Sequence, residues 1–153
     1  MQIKKDSPHP KSVWKQVWDS FSIPKINFFF WTLFHNKILT GENLCRRNIV
    51  GPHRCALCKN ALETSDHMFI DCEYARKTWS IFLTRLNVIP PTHCSIADMF
   101  STWKASYPHN IAGKYIWYKV WIAAPKYVCW KLWLARNEII FNQNEIPAKK
   151  VAD

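Results

Sequence analysis

The apolar residues in the first half of the chain recur at intervals of three and four, which is typical of amphipathic helices. Ser12 can cap a first helix, because Val13, Trp14, Val17, Trp18 and Phe21 follow this spacing. The residues "SIP" at 22–24 interrupt the pattern, and Pro24 suits the first turn of a second helix over about 25–37. That helix contains "INFFFWTLF" and is apolar on nearly every side, which favours a central buried position. The pattern alone does not distinguish it from a buried strand.

Shorter helical patterns follow, separated by breaking residues. Thr40 can cap a third helix, "GENLCRRN", which ends before Gly51. A fourth helix is predicted from Glu73 to about Leu86, and two prolines at 90–91 close this unit. Its inner face is predicted to be Ala75, Trp79, Phe82, Leu83 and Leu86.

A second helical region is predicted after these prolines. Residues 95–106 form a short helix and "YPHNIAG" a loop. From Tyr115 the pattern is helical again, and Pro125 should kink this helix or divide it in two. Its apolar positions step by four and three: Ile116, Val120, Ala123, Tyr127, Trp130 and Leu134. Tryptophans at such spacing are more often core residues than base-stacking ones, so we expect a core role for Trp14, Trp18, Phe29, Phe30, Trp31 and Trp79.

Composition supports a folded, helical protein. The 153 residues are 48% hydrophobic and include nine tryptophans, enough for one domain with a real core. Three glycines against nine prolines favour helices punctuated by prolines over a β-sandwich. We therefore predict a mostly α fold with a small helical domain over 12–104, a helical extension over 115–143, and flexible segments at 1–11 and 144–153.

The formal net charge is +10, and a surplus of this size attracts polyanions. The alternative is a solvated basic surface that keeps an aromatic-rich protein soluble. The first residues, "MQIKKDSPHPK", do not resemble a secretory signal, and the apolar run at 26–34 is too short to cross a bilayer. We expect an intracellular protein, in the nucleus or the cytoplasm and not secreted or in a membrane, whose cysteines are reduced.

One cluster of residues carries candidate chemistry: Cys55, Cys58, His67 and Cys72, with the spacing Cys-x2-Cys-x8-His-x4-Cys. Thiolate and imidazole ligands in a tetrahedron suit zinc, and a Cys-x-x-Cys turn can direct two sulfurs at one ion. On a regular helix, residues five apart differ by about 140° after a full turn, so His67 and Cys72 would face apart. We therefore predict that a short helix begun at Thr64 or Ser65 ends near Asp71, with Cys72 at the break.

Other interpretations of the cluster remain open. A disulfide between Cys55 and Cys58 would make a redox motif, although no βαβ pattern surrounds it. Three free thiols beside a histidine are the other alternative. His53 is a possible substitute ligand. Four protein ligands with no spare position describe a closed, structural zinc site, not a catalytic one.

With these residues in hand, the chain resembles the zinc-binding domain that follows the polymerase in plant LINE-type (non-LTR) reverse transcriptases. The similarity rests on "IPKINFFFW", on "TGENLCRRN", and on the family's CxxC, histidine and final cysteine with a tryptophan shortly after. Trp79 occupies the tryptophan position, and the similarity covers 13–79 closely and fades to about Trp103. The later "VCWKLWLARNEIIFN" resembles the segment that joins this module to a ribonuclease H-like domain.

The resemblance implies a non-catalytic, zinc-binding module of a retroelement protein, and this module is expected to bind RNA or DNA. No two of Asp6, Asp19, Asp66, Asp71 and Asp98 are adjacent, so the polymerase's paired aspartates are missing and we expect no enzyme. The alternative function is a structural or protein-interaction module that packs against a polymerase or ribonuclease H-like domain. Basic residues flank the zinc site, and the ones expected to contact phosphates are Arg46, Arg47, Arg54, Lys59, Arg76 and Lys77.

Overall fold

The computed structural model describes Trp18 and residues 22–88, 95–103, 105–107 and 114–153. These residues form helices and connecting loops; their only β pairing is an isolated bridge between Arg54 and Leu62. The mostly α fold class is thereby confirmed. The elements are α1 (Pro24–Phe34), α2 (Gly41–Arg46), a π-helical segment (His67–Asp71), α3 (Glu73–Arg85), α4 (Ile96–Trp103), α5 (Lys114–Asn142) and α6 (Ala148–Ala152).

Several predictions lie outside the described residues. They are the flexible arm at 1–11, the first helix over 12–21 with Trp14, the prolines at 90–91, and the loop at 108–113.

Helix α1 is the predicted second helix, and Pro24 occupies its first turn. Its inner side buries Phe29, Phe30 and Leu33, and the helix packs against α5. The prediction of a central helix is confirmed in this respect. The opposite side is open, however, because Phe28 is 59% exposed.

Helix α5 is a single helix of 29 residues, roughly 43 Å long, that runs through Pro125 without being divided. Of the apolar positions that step by four and three along α5, Ala123 is buried, whereas Ile116 and Leu134 are exposed. Two cationic side chains on α5, Lys126 and Arg136, are buried instead. The Lys126 ammonium donates to Asn27 Oδ1 on α1 at 3.1 Å. Buried charges persist only when they are paired or hydrogen-bonded. This hydrogen bond therefore explains how Lys126 can lie inward.

The C-terminal segment contains a short helix that packs against other helices, while the flexibility expected for 144–153 stays a prediction. Helix α6 packs against α3 and α5 and buries Ala148, Val151 and Ala152. The Tyr74 hydroxyl on α3 donates to the carbonyl of Ile146. Apolar burial and this hydrogen bond together hold a segment in which polar and apolar residues are equally frequent. The division into a domain over 12–104 and an extension over 115–143 stays a prediction.

The aromatic residues expected in the core divide into three groups. Phe29, Phe30 and Trp79 are buried as predicted, and the Trp79 indole donates to the carbonyl of Phe69 at 2.9 Å. Trp31 is only half-buried. Trp18 is 53% exposed, so its predicted core role is wrong. Within the described ranges, no helix combines the length and the apolar character needed to cross a bilayer.

Candidate metal centre

The segment before Cys72 is helical, but it winds more widely than an α-helix. Helical conformation begins at Ser65, continues as a π-helix through His67–Asp71, and stops at Cys72, whose ψ of 131° is extended. Helix α3 then begins at Glu73. The predicted break at Cys72 is confirmed. The Cys72 amide donates to the His67 carbonyl at 2.7 Å, an i to i+5 bond that brings the two residues over one another.

The first two cysteines lie on a tight turn. The Cys55 amide donates to the Ala61 carbonyl, and the Lys59 amide donates back to the Cys55 carbonyl, both at 2.8 Å. Lys59 has a φ of 62°, the left-handed conformation that lets the chain reverse here. The bridge between Arg54 and Leu62 closes the base of the turn. We call residues 54–62 the knuckle.

The knuckle and the π-helical segment bring four donor atoms together. One atom each from Cys55, Cys58, His67 and Cys72 lies within 4.8 Å of the others. The Cys55 and Cys72 sulfurs are 3.9 Å apart, and the Cys58 sulfur is 3.3 Å from His67 Nε2. Tetrahedral zinc with bonds of about 2.3 Å to sulfur and 2.0–2.1 Å to nitrogen requires edges of about 3.8 and 3.5 Å. The donor set and its spacing therefore fit one zinc ion.

The two buried thiols influence each other's protonation. The Cys55 thiol donates a hydrogen bond to the Cys72 sulfur, which lowers the pKa of Cys72. The same bond, with burial, raises the pKa of Cys55. This is the behaviour of two sulfurs that share one proton, and metal binding at such a site releases protons.

Cys45, Cys129 and His53 take no part in this cluster. His53 is exposed and is not among the four residues brought together, so the proposal of a substitute ligand is not supported. Cys45 is exposed on α2. Cys129 lies on α5 and is buried, and this burial raises the pKa of its thiol.

A buried ion pair supports the knuckle, and the sequence did not indicate it. Arg136 Nη2 on α5 donates to Glu63 Oε1 at 2.6 Å, and both side chains are almost fully enclosed. The Glu63 carboxylate also accepts from the Gly41 amide at 3.0 Å and the Ala56 amide at 3.3 Å. One carboxylate thus ties α2, the knuckle and α5 together. Arg136 interrupts an apolar helical run, which is the only signal in the sequence that could have revealed it.

The six cations expected to contact phosphates are all exposed around the site. Three of them are paired with carboxylates: Arg46 with Glu42 at 2.6 Å, Lys59 with Glu145 at 2.6 Å, and Arg76 with Asp71 at 3.5 Å. The contact with Lys59 lowers the pKa of Glu145. Arg47 Nη2 donates to the Lys37 carbonyl at 3.1 Å. Arg54 and Lys77 have no carboxylate partner within the part of the chain that the structure describes.

Comparison with known proteins adds one finding. The family described as zinc-binding in reverse transcriptase matches residues 1–79, a range that includes all four donors. No curated protein and no solved structure matches the chain.

Proposed function

Because the chain belongs to the family of zinc-binding domains in reverse transcriptases, we propose that it is a non-catalytic module, held together by zinc, that binds RNA or DNA through phosphate contacts. Within that family, the proposal extends to a LINE-type retroelement origin, as the motifs at 23–31 and 40–48 suggest. It also extends to an intracellular setting, in the nucleus or cytoplasm, because reduced thiols are needed at the site.

The role of the metal in this proposal is structural. Cys55, Cys58, His67 and Cys72 would hold the ion, and four protein ligands leave no position for a reacting water. A bound zinc ion would supply folding free energy to the segment and fix the knuckle against α3. The basic side chains on these segments would then be held in fixed relative positions.

The observation that carries the proposal is the set of exposed cations on three segments joined at this centre. The end of α2 contributes Arg46 and the adjoining Arg47, the knuckle contributes Arg54 and Lys59, and the start of α3 contributes Arg76 and Lys77. Exposed ion pairs contribute only about 0–1 kcal/mol, so phosphate can replace the carboxylates that pair with three of these cations. Arg54 and Lys77 have no carboxylate partner among the described residues, so a phosphate can bind them without displacing one.

The salt dependence of binding tests the proposal. The double variant Arg54→Ala with Lys77→Ala should weaken binding of all sequences alike. It should also flatten the slope of log affinity against log salt by roughly 1.4–1.8, since each phosphate contact contributes about 0.7–0.9. Fluorescence anisotropy with single-stranded RNA and with duplex DNA, over a series of salt concentrations, measures both quantities.

A matched control removes the same charge elsewhere. Lys149 and Lys150 are exposed on α6, and the variant Lys149→Ala with Lys150→Ala should leave the slope close to that of the parent protein. Equal slopes for all three proteins, or no binding at low salt, would contradict the proposal.

The alternative, a protein-interaction module, is favoured by one specific observation. Ile49, Val50 and Leu62 are exposed beside or within the knuckle, and Val50 is 96% exposed. An apolar group of this kind suits contact with a polymerase or ribonuclease H-like domain. A variant with Val50→Asp and Leu62→Asp should retain nucleic-acid binding if the first function is correct and lose only such a contact.

A further inference from the structure

The outward side of α1 carries a row of aromatic rings. Phe28, which is 59% exposed, stacks on Trp31 with ring centres 6.1 Å apart and planes at 22°. Trp31 in turn lies against His35, with ring centres 4.6 Å apart. Residues three and four apart are neighbours on one face of a helix, so the three rings form a continuous row.

Lysines precede and follow this row along the chain. Lys25 lies one turn before Phe28, and its ammonium is 5.1 Å from the centre of the Trp130 ring. Beyond the other end, Arg47 donates to the carbonyl of the exposed Lys37. Helix α1, "PKINFFFWTLF", contains no carboxylate. The face is thus aromatic and positively charged over roughly 15 Å, from Lys25 to His35.

We propose that this face, defined by Lys25, Phe28, Trp31 and His35, binds single-stranded nucleic acid by stacking a base on Phe28. The proposal rests on the proposed function and adds to it a preference for single strands. Aromatic side chains beside cations are the usual elements of single-strand binding, because every base offers a flat face and every nucleotide a phosphate. In a duplex the faces of the bases are covered by neighbouring pairs, so Phe28 has nothing to stack on.

A fixed structural feature favours a base over an apolar protein partner on this face. The Phe28 ring already lies against the Trp31 ring, with the two planes 22° apart, which orients it as a platform. Lys25, one turn away, can reach a phosphate next to the stacked base, as charge complementarity requires.

Substitution at Phe28 tests the proposal, because a residue this exposed can be changed without unfolding the protein. The probes are a single-stranded oligonucleotide, an abasic strand of the same length, and the matching duplex. Phe28→Ala and Phe28→Leu should each weaken binding of the single strand by roughly 5- to 150-fold. Affinity for the abasic strand and for the duplex should stay the same. The control is Phe141→Ala, which removes a ring that is 74% exposed at the end of α5 and should change none of the three affinities.

The possible results separate the two proposals. If the parent protein binds duplex and abasic strands, and Phe28→Ala leaves single-strand affinity unchanged, the stacking proposal is wrong and the phosphate-binding function stands. If Phe28→Leu binds the single strand as well as the parent does, the face needs only apolar area, and the stacking proposal is overturned. If the parent protein binds no nucleic acid at low salt, both proposals fail.

Discussion

Replacing Arg136 by methionine should destabilise the protein severely, although Arg136 is far in sequence from the metal centre. The substitution keeps an unbranched side chain of similar length in α5 but removes the guanidinium. Glu63 then loses donors at 2.6 Å from Nη2 and at 3.2 and 3.3 Å from Nε. It keeps only the amides of Gly41 and Ala56. The Leu39 carbonyl loses its 3.2 Å contact with Nη2 as well.

The magnitude follows from leaving a charge buried without a partner. Removing one member of a buried ion pair costs about 3–5 kcal/mol of unfolding free energy, a large part of the usual 5–15 kcal/mol. The double variant Glu63→Gln with Arg136→Met should lose less than the sum of the two single variants, because it no longer contains the isolated carboxylate.

Urea unfolding followed by tryptophan fluorescence, at a fixed concentration of free zinc, measures these differences. Arg46→Met is the control, since it removes the exposed pair with Glu42 and should cost no more than about 1 kcal/mol. If Arg136→Met loses no more than Arg46→Met does, or if the two single losses simply add, the reasoning about the buried pair is refuted.

Three further predictions concern the metal centre, the core and the C-terminal segment. Cys72→Ser should abolish stoichiometric zinc binding and expose residues 54–73 to hydrogen exchange, whereas Cys45→Ser should retain zinc by elemental analysis; zinc in both variants would be evidence against the site. Phe30→Ala removes a fully buried ring and should cost about 3–5 kcal/mol in urea unfolding, and a loss below 1 kcal/mol would be inconsistent with its burial. Tyr74→Phe removes the hydrogen bond to Ile146 and should cost about 0.5–1.5 kcal/mol, with faster amide exchange in α6; unchanged exchange would show that apolar packing alone holds the segment.

The helices with clear capping or breaking residues could be predicted from the sequence. Pro24 sets the start of α1, and the interval from His67 to Cys72 requires a break before α3. Both inferences use local geometry, which a short window of sequence contains. The four donors could be predicted for the same reason, since metal-ligand spacing is itself a local property.

The π-helical winding at 67–71 and the orientation of α5 could not be predicted in this way. Over a segment of only five residues, a π-helix and an α-helix give the same pattern of apolar positions. Lys126 and Arg136 are residue types typical of a solvent face, and their partners, Asn27 and Glu63, lie 99 and 73 residues away in the sequence. The inner face of α5 is therefore decided by tertiary hydrogen bonds, which helical periodicity does not contain.

The pairing of α1 with α5 has a consequence for synthesis on the ribosome. The side of α1 that carries Asn27 and Phe29 is covered by a helix whose contact residue Lys126 is 99 residues further along the chain than Asn27. At about 5–20 residues per second, α1 waits roughly 5–20 s before its partner exists. During that interval the nascent chain exposes an apolar, aromatic segment. We therefore expect this protein to bind a chaperone during translation. In the metal centre, Cys72 follows Cys55 by only 17 positions, so this centre can close long before then.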